Sequence, residues 1–166
     1  MAKLRILIGD DHTLMRQGLR KILEERPEWE IVAEAGDGRS AVRDTLELEP
    51  DVAVLDIGMS LLNGIEATAQ ITRKKPNVAV LILSMHADEA YVTQAVRAGA
   101  RGYLLKDSAG ADRLSELVRA FRSATGGRGN TIGTAGCTGV LAVFTISYTL
   151  NTVRPSSPSS TMKRVC

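Results

Sequence analysis

Acidic residues are absent from the end of this chain. All 19 aspartates and glutamates lie in residues 1–124, beside 17 of the 21 lysines and arginines. That part carries a net charge of −2, and residues 125–166 carry +4. Aromatic residues are scarce, with one Trp, three Tyr and two Phe, so aliphatic side chains must fill any core. The two cysteines, Cys137 and Cys166, are far apart and both in the acid-free tail. This spacing excludes a CxxC redox motif or a cysteine zinc site. No apolar run reaches the roughly 20 residues of a membrane span. The longest in the tail, "GVLAVFTISYTL" at residues 139–150, is too short and holds Thr and Ser. The start, "MAKLRILIGDD", meets charge too early for a secretory signal. A cytoplasmic chain without a membrane partner is expected.

What is present divides in two. Residues 1–124 alternate between short aliphatic runs, at 4–9, 30–34, 52–56, 78–83 and 102–105, and segments of helical period. Leu14, Met15, Gly18, Leu19, Ile22 and Leu23 are expected on one face of the first helix. Further helices are expected at 38–48, 64–75, 88–98 and 110–123. Pro27, Pro50 and Pro76 stand just before strands, and Gly99 closes a helix. Strands one, three and four are apolar on both faces, as in a parallel sheet covered by helices on both sides. The fold class is therefore α/β, a doubly wound five-stranded sheet in the flavodoxin-like order 2-1-3-4-5. In residues 125–166, 19 of 42 residues are Gly, Ser or Thr, and "RPSSPSS" has a disordered composition. Only Val140 to Leu150 could add a strand there.

Ligands of open α/β sheets bind outside the carboxyl ends of the strands. Strand one ends in Asp10 and Asp11, strand three in Asp56, strand four in Ser84 and strand five in Lys106. Three carboxylates in one crevice repel one another, and a hard divalent cation such as Mg²⁺, which prefers oxygen ligands, resolves the conflict. One carboxylate could then attack a phosphoryl group, with Lys106 and Ser84 bonding to its oxygens. Asp56, alone on the central strand, is the best nucleophile; Asp10 and Asp11 suit a metal. Each residue also has an ordinary reading. Asp10, Asp11 or Thr13 could cap the first helix, Asp56 could start a turn, Ser84 is a common strand-end residue, Lys106 could be a solvated surface lysine, Tyr103 could be core packing, and His86 could be an exposed residue at a helix start.

Taken together, "ILIGDDHTLMRQGLRKILE", "VAVLDIGMSLLNGIEA" and "VLILSMHADEAYVTQAVRAGARGYLLKD" resemble the receiver domain of two-component response regulators, with wording similar to NarL/FixJ (LuxR-type) transcriptional regulators. The resemblance spans residues 3–124. It implies that Asp56 accepts phosphate from a sensor histidine kinase. It further implies that Asp11, Asp56 and the Gly58 backbone carbonyl ligate Mg²⁺ while Asp10 contributes through water. Ser84 and Tyr103 would form the switch, Ser84 moving towards the phosphate and the Tyr103 ring turning inward, and the surface near helix four and strand five would change. His86 could modulate phosphate lifetime by controlling water access. Such a protein is no metabolic enzyme; its chemistry is its own phosphorylation and dephosphorylation. A phosphatase with an Asp nucleophile is the competing reading, but it usually carries D-x-D on strand one, unlike adjacent Asp10 and Asp11.

The chain departs from this family twice. Ser60 stands where proline is usual, which leaves the turn after Asp56 looser. Residues 125–166 show no helix-turn-helix, and their +4 charge is too sparse to argue for DNA binding. The family regulates transcription, so the tail resembles an effector domain lost or replaced, as translation in a shifted frame would produce. The expected output is through protein contacts without specific promoter binding. A homodimer could form through helix four, strand five and helix five, or through helices one and five.

Overall fold

The computed structural model describes residues 3–108 and 111–125. They form β1 (Leu4–Gly9), α1 (Thr13–Glu24), β2 (Trp29–Ala35), α2 (Gly38–Leu48), β3 (Val52–Asp56), α3 (Gly64–Lys74), β4 (Ala79–Ser84), α4 (Glu89–Arg97), β5 (Gly102–Leu105) and α5 (Ala111–Thr125). The five strands are parallel and ordered β2-β1-β3-β4-β5, as expected. The expectations for residues 126–166, including an added strand from Val140 to Leu150, lie outside the described residues.

Strand periodicity divides the core. Leu7, Ala53, Leu55, Val80 and Ile82 face α2, α3 and α4. Ile6, Ile8, Val52, Val54, Leu81 and Leu83 face α1 and α5, where Leu19, Leu23, Leu114, Val118 and Phe121 meet them. Each fully buried Leu or Ile stabilises the fold by about 1.5–3 kcal/mol. Trp29 is buried at the start of β2. β4 begins one residue later than its aliphatic run because the Val78 amide bonds the Lys75 carbonyl in a turn, and pairing starts at Ala79 opposite Val52.

The first helix corrects the expected apolar face. Leu19 and Leu23 are buried, and Met15 and Ile22 pack beside them. Leu14 is 84% exposed and Gly18 is also exposed. At about 100° per residue, Leu14 falls far to one side of the stripe through positions 15, 19, 22 and 23.

Helix starts are set by side chains. Asp37 accepts from the Ser40 amide at 2.8 Å and the Ser40 hydroxyl at 2.8 Å, capping α2. Asn63 and Glu66 form a capping box on α3. Asp88 caps α4 through Ala90, and Gly99, at φ +96°, follows the end of that helix.

The loop between β3 and α3 is pressed against its neighbours. A Cβ on Gly64 would lie 2.1 Å from the Asp56 carbonyl oxygen, and one on Gly38 would lie 1.8 Å from that of Leu62. The Ser60 carbonyl accepts from the Leu62 amide at 2.8 Å and the Gly38 amide at 3.1 Å. The next residue, Leu61, has φ +64° and is 70% exposed. A leucine there bears left-handed strain and buries little in return.

Leu61→Gly should therefore stabilise the protein by about 1 kcal/mol, read as a higher urea midpoint at unchanged slope; a lower midpoint contradicts the strain. Asp37→Ala should cost about 1 kcal/mol at neutral pH. The backbone and hydroxyl bonds from Ser40 hold the Asp37 carboxyl below its ordinary value. Its stabilisation is therefore present above the unfolded carboxyl pKa and fades as pH falls through the folded one. Urea melts at pH 7 and below pH 4 should show the two proteins converging in acid.

Candidate functional site

The chain reverses its winding direction between β1 and β3, and the crevice lies at their carboxyl ends. Asp10 follows β1 and is fully buried; its amide bonds the Ala35 carbonyl at 3.1 Å. Asp56 is the last residue of β3 and is 5% exposed. Lys106, one residue past β5, reaches across: its Nζ is 2.7 Å from Asp10 Oδ2 and 3.0 Å from Asp56 Oδ1. Burial disfavours the Lys106 ammonium, but its bonds to Asp10 and Asp56 outweigh that and raise its pKa above the ordinary lysine value. It stays charged throughout the neutral range.

Asp11 completes the cluster. Its Oδ1 is buried and makes no hydrogen bond. One ligand atom from each of Asp10, Asp11, His12 and Asp56 lies within 4.8 Å of the others. An orphaned carboxylate oxygen among further carboxylates fits a hard cation with oxygen ligands. Gly58 sits beside the same group, since a Cβ there would be 3.3 Å from Asp56 Oδ2.

Ser84 and Tyr103 meet at a different point. The fully buried Ser84 hydroxyl accepts from the His86 amide at 2.9 Å. Tyr103 lies inward, 4% exposed, and its hydroxyl donates to the His86 carbonyl at 2.7 Å. Burial pushes the Tyr103 phenol up, so it remains a neutral donor. The His86 ring stacks on Tyr91 with centroids 4.8 Å apart and planes at 23°.

The Asp pair does not cap α1. Its N-cap is His12, whose side chain makes no cap bond, and Asp10 Oδ1 accepts from the His12 amide at 2.9 Å instead. Two participants are absent from the sequence expectations. Arg16 donates from Nη1 to the Asp10 carbonyl at 2.5 Å, bracing the loop from the next turn of helix. His12 faces the carboxylates, and its place directly after two aspartates was the available signal.

Residues 6–119 match the family profile described as the response regulator receiver domain. The chain belongs to the response regulator receiver family. The receiver is 47% identical over 117 residues to the transcriptional regulatory protein DegU of Brevibacillus brevis, covering 70% of this chain and 49% of DegU. It is 40% identical over 124 residues to LiaR of Bacillus subtilis, covering 75% and 57%. The chain thus spans about half the length of these curated relatives. A LuxR-family two-component response regulator from Aurantimonas superposes with a TM-score of 0.66 at 38% identity, over 76% of this chain and 88% of that one. The response regulator domain of Thermotoga maritima CheB gives 0.66 at 32% identity, over 76% and 99%. No described helix of the receiver is long and apolar enough to cross a membrane.

Lys106→Met should destabilise the receiver by about 3–5 kcal/mol at pH 7, because it leaves Asp10 and Asp56 buried without their cation. Urea unfolding at pH 7 checks this; an unchanged midpoint would contradict it.

Proposed function

We propose that this receiver takes a phosphoryl group on Asp56 from the phosphohistidine of a sensor histidine kinase and thereby switches the surface around α4 and β5. The observation that carries the reading is Asp56 itself. Its buried carboxylate ends the central strand, is paired with Lys106, and lies in one cluster with the unsatisfied Asp11 oxygen.

The chemistry follows from these groups. An Asp56 oxygen attacks phosphorus, the phosphorus–nitrogen bond breaks, and the departing imidazole keeps the electron pair and takes up a proton. Asp11 and Asp56, with the Gly58 carbonyl, would hold Mg²⁺, and Asp10 would act through water. When bound, the ion supplies positive charge that offsets the carboxylates and the incoming phosphoryl oxygens. Lys106 exchanges its bond with the Asp56 carboxylate for one with a phosphoryl oxygen. Ser84 gives its hydroxyl to another phosphoryl oxygen, which takes it away from the His86 amide. Tyr103 bonds the far side of the same residue, so the β4–α4 loop and β5 shift as a unit. His86, stacked on Tyr91 at the mouth, would limit water reaching the phosphate.

The domain is proposed to occupy residues 1–124. The named relatives are transcriptional regulatory proteins. For this chain, the output is proposed to run through protein contacts, with homodimerisation through one of the two expected faces; the +4 charge of residues 125–166 is too sparse to support DNA binding by that segment.

A small-molecule acyl phosphate with Mg²⁺ should give one phosphoryl group per chain in intact-mass spectra. The adduct should be lost in Asp56→Asn and when the metal is chelated. Undiminished labelling of Asp56→Asn, or repeated turnover of a phosphoester, would rule the reading out.

A further inference from the structure

His12 occupies the N-cap of α1, where a short polar side chain would bond a helix amide, and makes no such bond. Its ring turns to the carboxylates instead. Nδ1 lies 2.9 Å from Asp11 Oδ1 and 3.4 Å from Asp10 Oδ1. An ordinary surface histidine–aspartate pair would direct an N–H at the carboxylate. Here Asp11 Oδ1 is buried and has no hydrogen bond despite that close approach. Two donors that each sit about 2.0–2.2 Å from a shared ion are about 3 Å apart when adjacent in its coordination shell and about 4.2 Å when opposite. The 2.9 Å spacing from His12 to Asp11 matches adjacent donors.

We infer that His12 is a nitrogen ligand of the proposed metal site and biases it towards late first-row divalent ions over Mg²⁺. The inference rests on the metal reading of Asp11 and Asp56 given above. Mg²⁺ takes oxygen ligands and keeps its waters, so an imidazole adds little to its binding. Ni²⁺, Co²⁺ and Zn²⁺ bind imidazole well, and for them the ring replaces a water at the open end of the cluster. His12 is suited to that place, because its side chain is 73% exposed while Asp10 beneath it is fully buried. The ion held beside Asp56 would then depend on the cell's transition-metal supply as well as its magnesium.

The test uses the full chain and Mn²⁺, an ion that the thiolates of Cys137 and Cys166 do not attract strongly. The chain has two histidines, so nitrogen signals can be assigned with two variants. Pulsed EPR of bound Mn²⁺ should show modulation from a directly coordinated nitrogen in the unmodified chain and in His86→Gln. It should be lost in His12→Gln, and the ratio of Ni²⁺ to Mg²⁺ affinity should fall in the same variant. A nitrogen signal that survives in His12→Gln, or a ratio of Ni²⁺ to Mg²⁺ affinity unchanged in that variant, overturns the role of His12. If Mn²⁺ is nevertheless released in Asp11→Asn, the metal site itself still stands. Undiminished Mn²⁺ binding in Asp11→Asn would overturn both.

Discussion

Two buried carboxylates held on one ammonium are the constraint around which this domain is arranged. Asp10 and Asp56 end neighbouring strands with almost no access to water. Charges so placed cost stability unless a counter-ion pairs them. Lys106 pairs both, arriving from the far edge of the sheet with its own side chain only 5% exposed. β1, β3 and β5 must therefore be in register before the charges balance. Site and fold thus share an interaction: the pairing that holds the Asp56 carboxylate in the crevice also joins the edge strand to the centre.

Such a balance can be altered without dismantling the core. The apolar layers on the two faces of the sheet are complete by themselves, through Leu55 and Ile82 on one side and Val54, Leu83 and Phe121 on the other. Recharging the crevice works against local electrostatics, not against hydrophobic packing. Hydrogen bonds from neighbouring helices brace the surrounding loops. The Ser60 carbonyl ties the β3–α3 loop to α2, and Arg16 ties the Asp10–Asp11 turn to α1. Ser60 in place of the usual proline removes a stiff ring, but its carbonyl bonds need none.

Most of the fold was legible because it follows from periodicity. Strands apolar on both faces imply a parallel, covered sheet, and strand-end polar residues mark the crevice once the order is known. The elements that escaped depend on angle rather than pattern. Leu14 lies one residue from Met15, and only the rotation of the helix separates exposed from packed. Leu61 carries no warning in its identity that its backbone is left-handed. For His12 and Arg16, the partners are atoms of neighbouring residues whose direction is set by a turn. The sequence marks Lys106 as a residue of the crevice but not its pairing with Asp10 and Asp56.

The ties at residue 86 are made by its main chain. Its amide reaches Ser84 and its carbonyl reaches Tyr103. The crevice and β5 are therefore joined through one residue without using its side chain. That position is open to evolutionary drift, because nearly any residue keeps both ties. Proline alone breaks the connection, because it has no amide hydrogen to give.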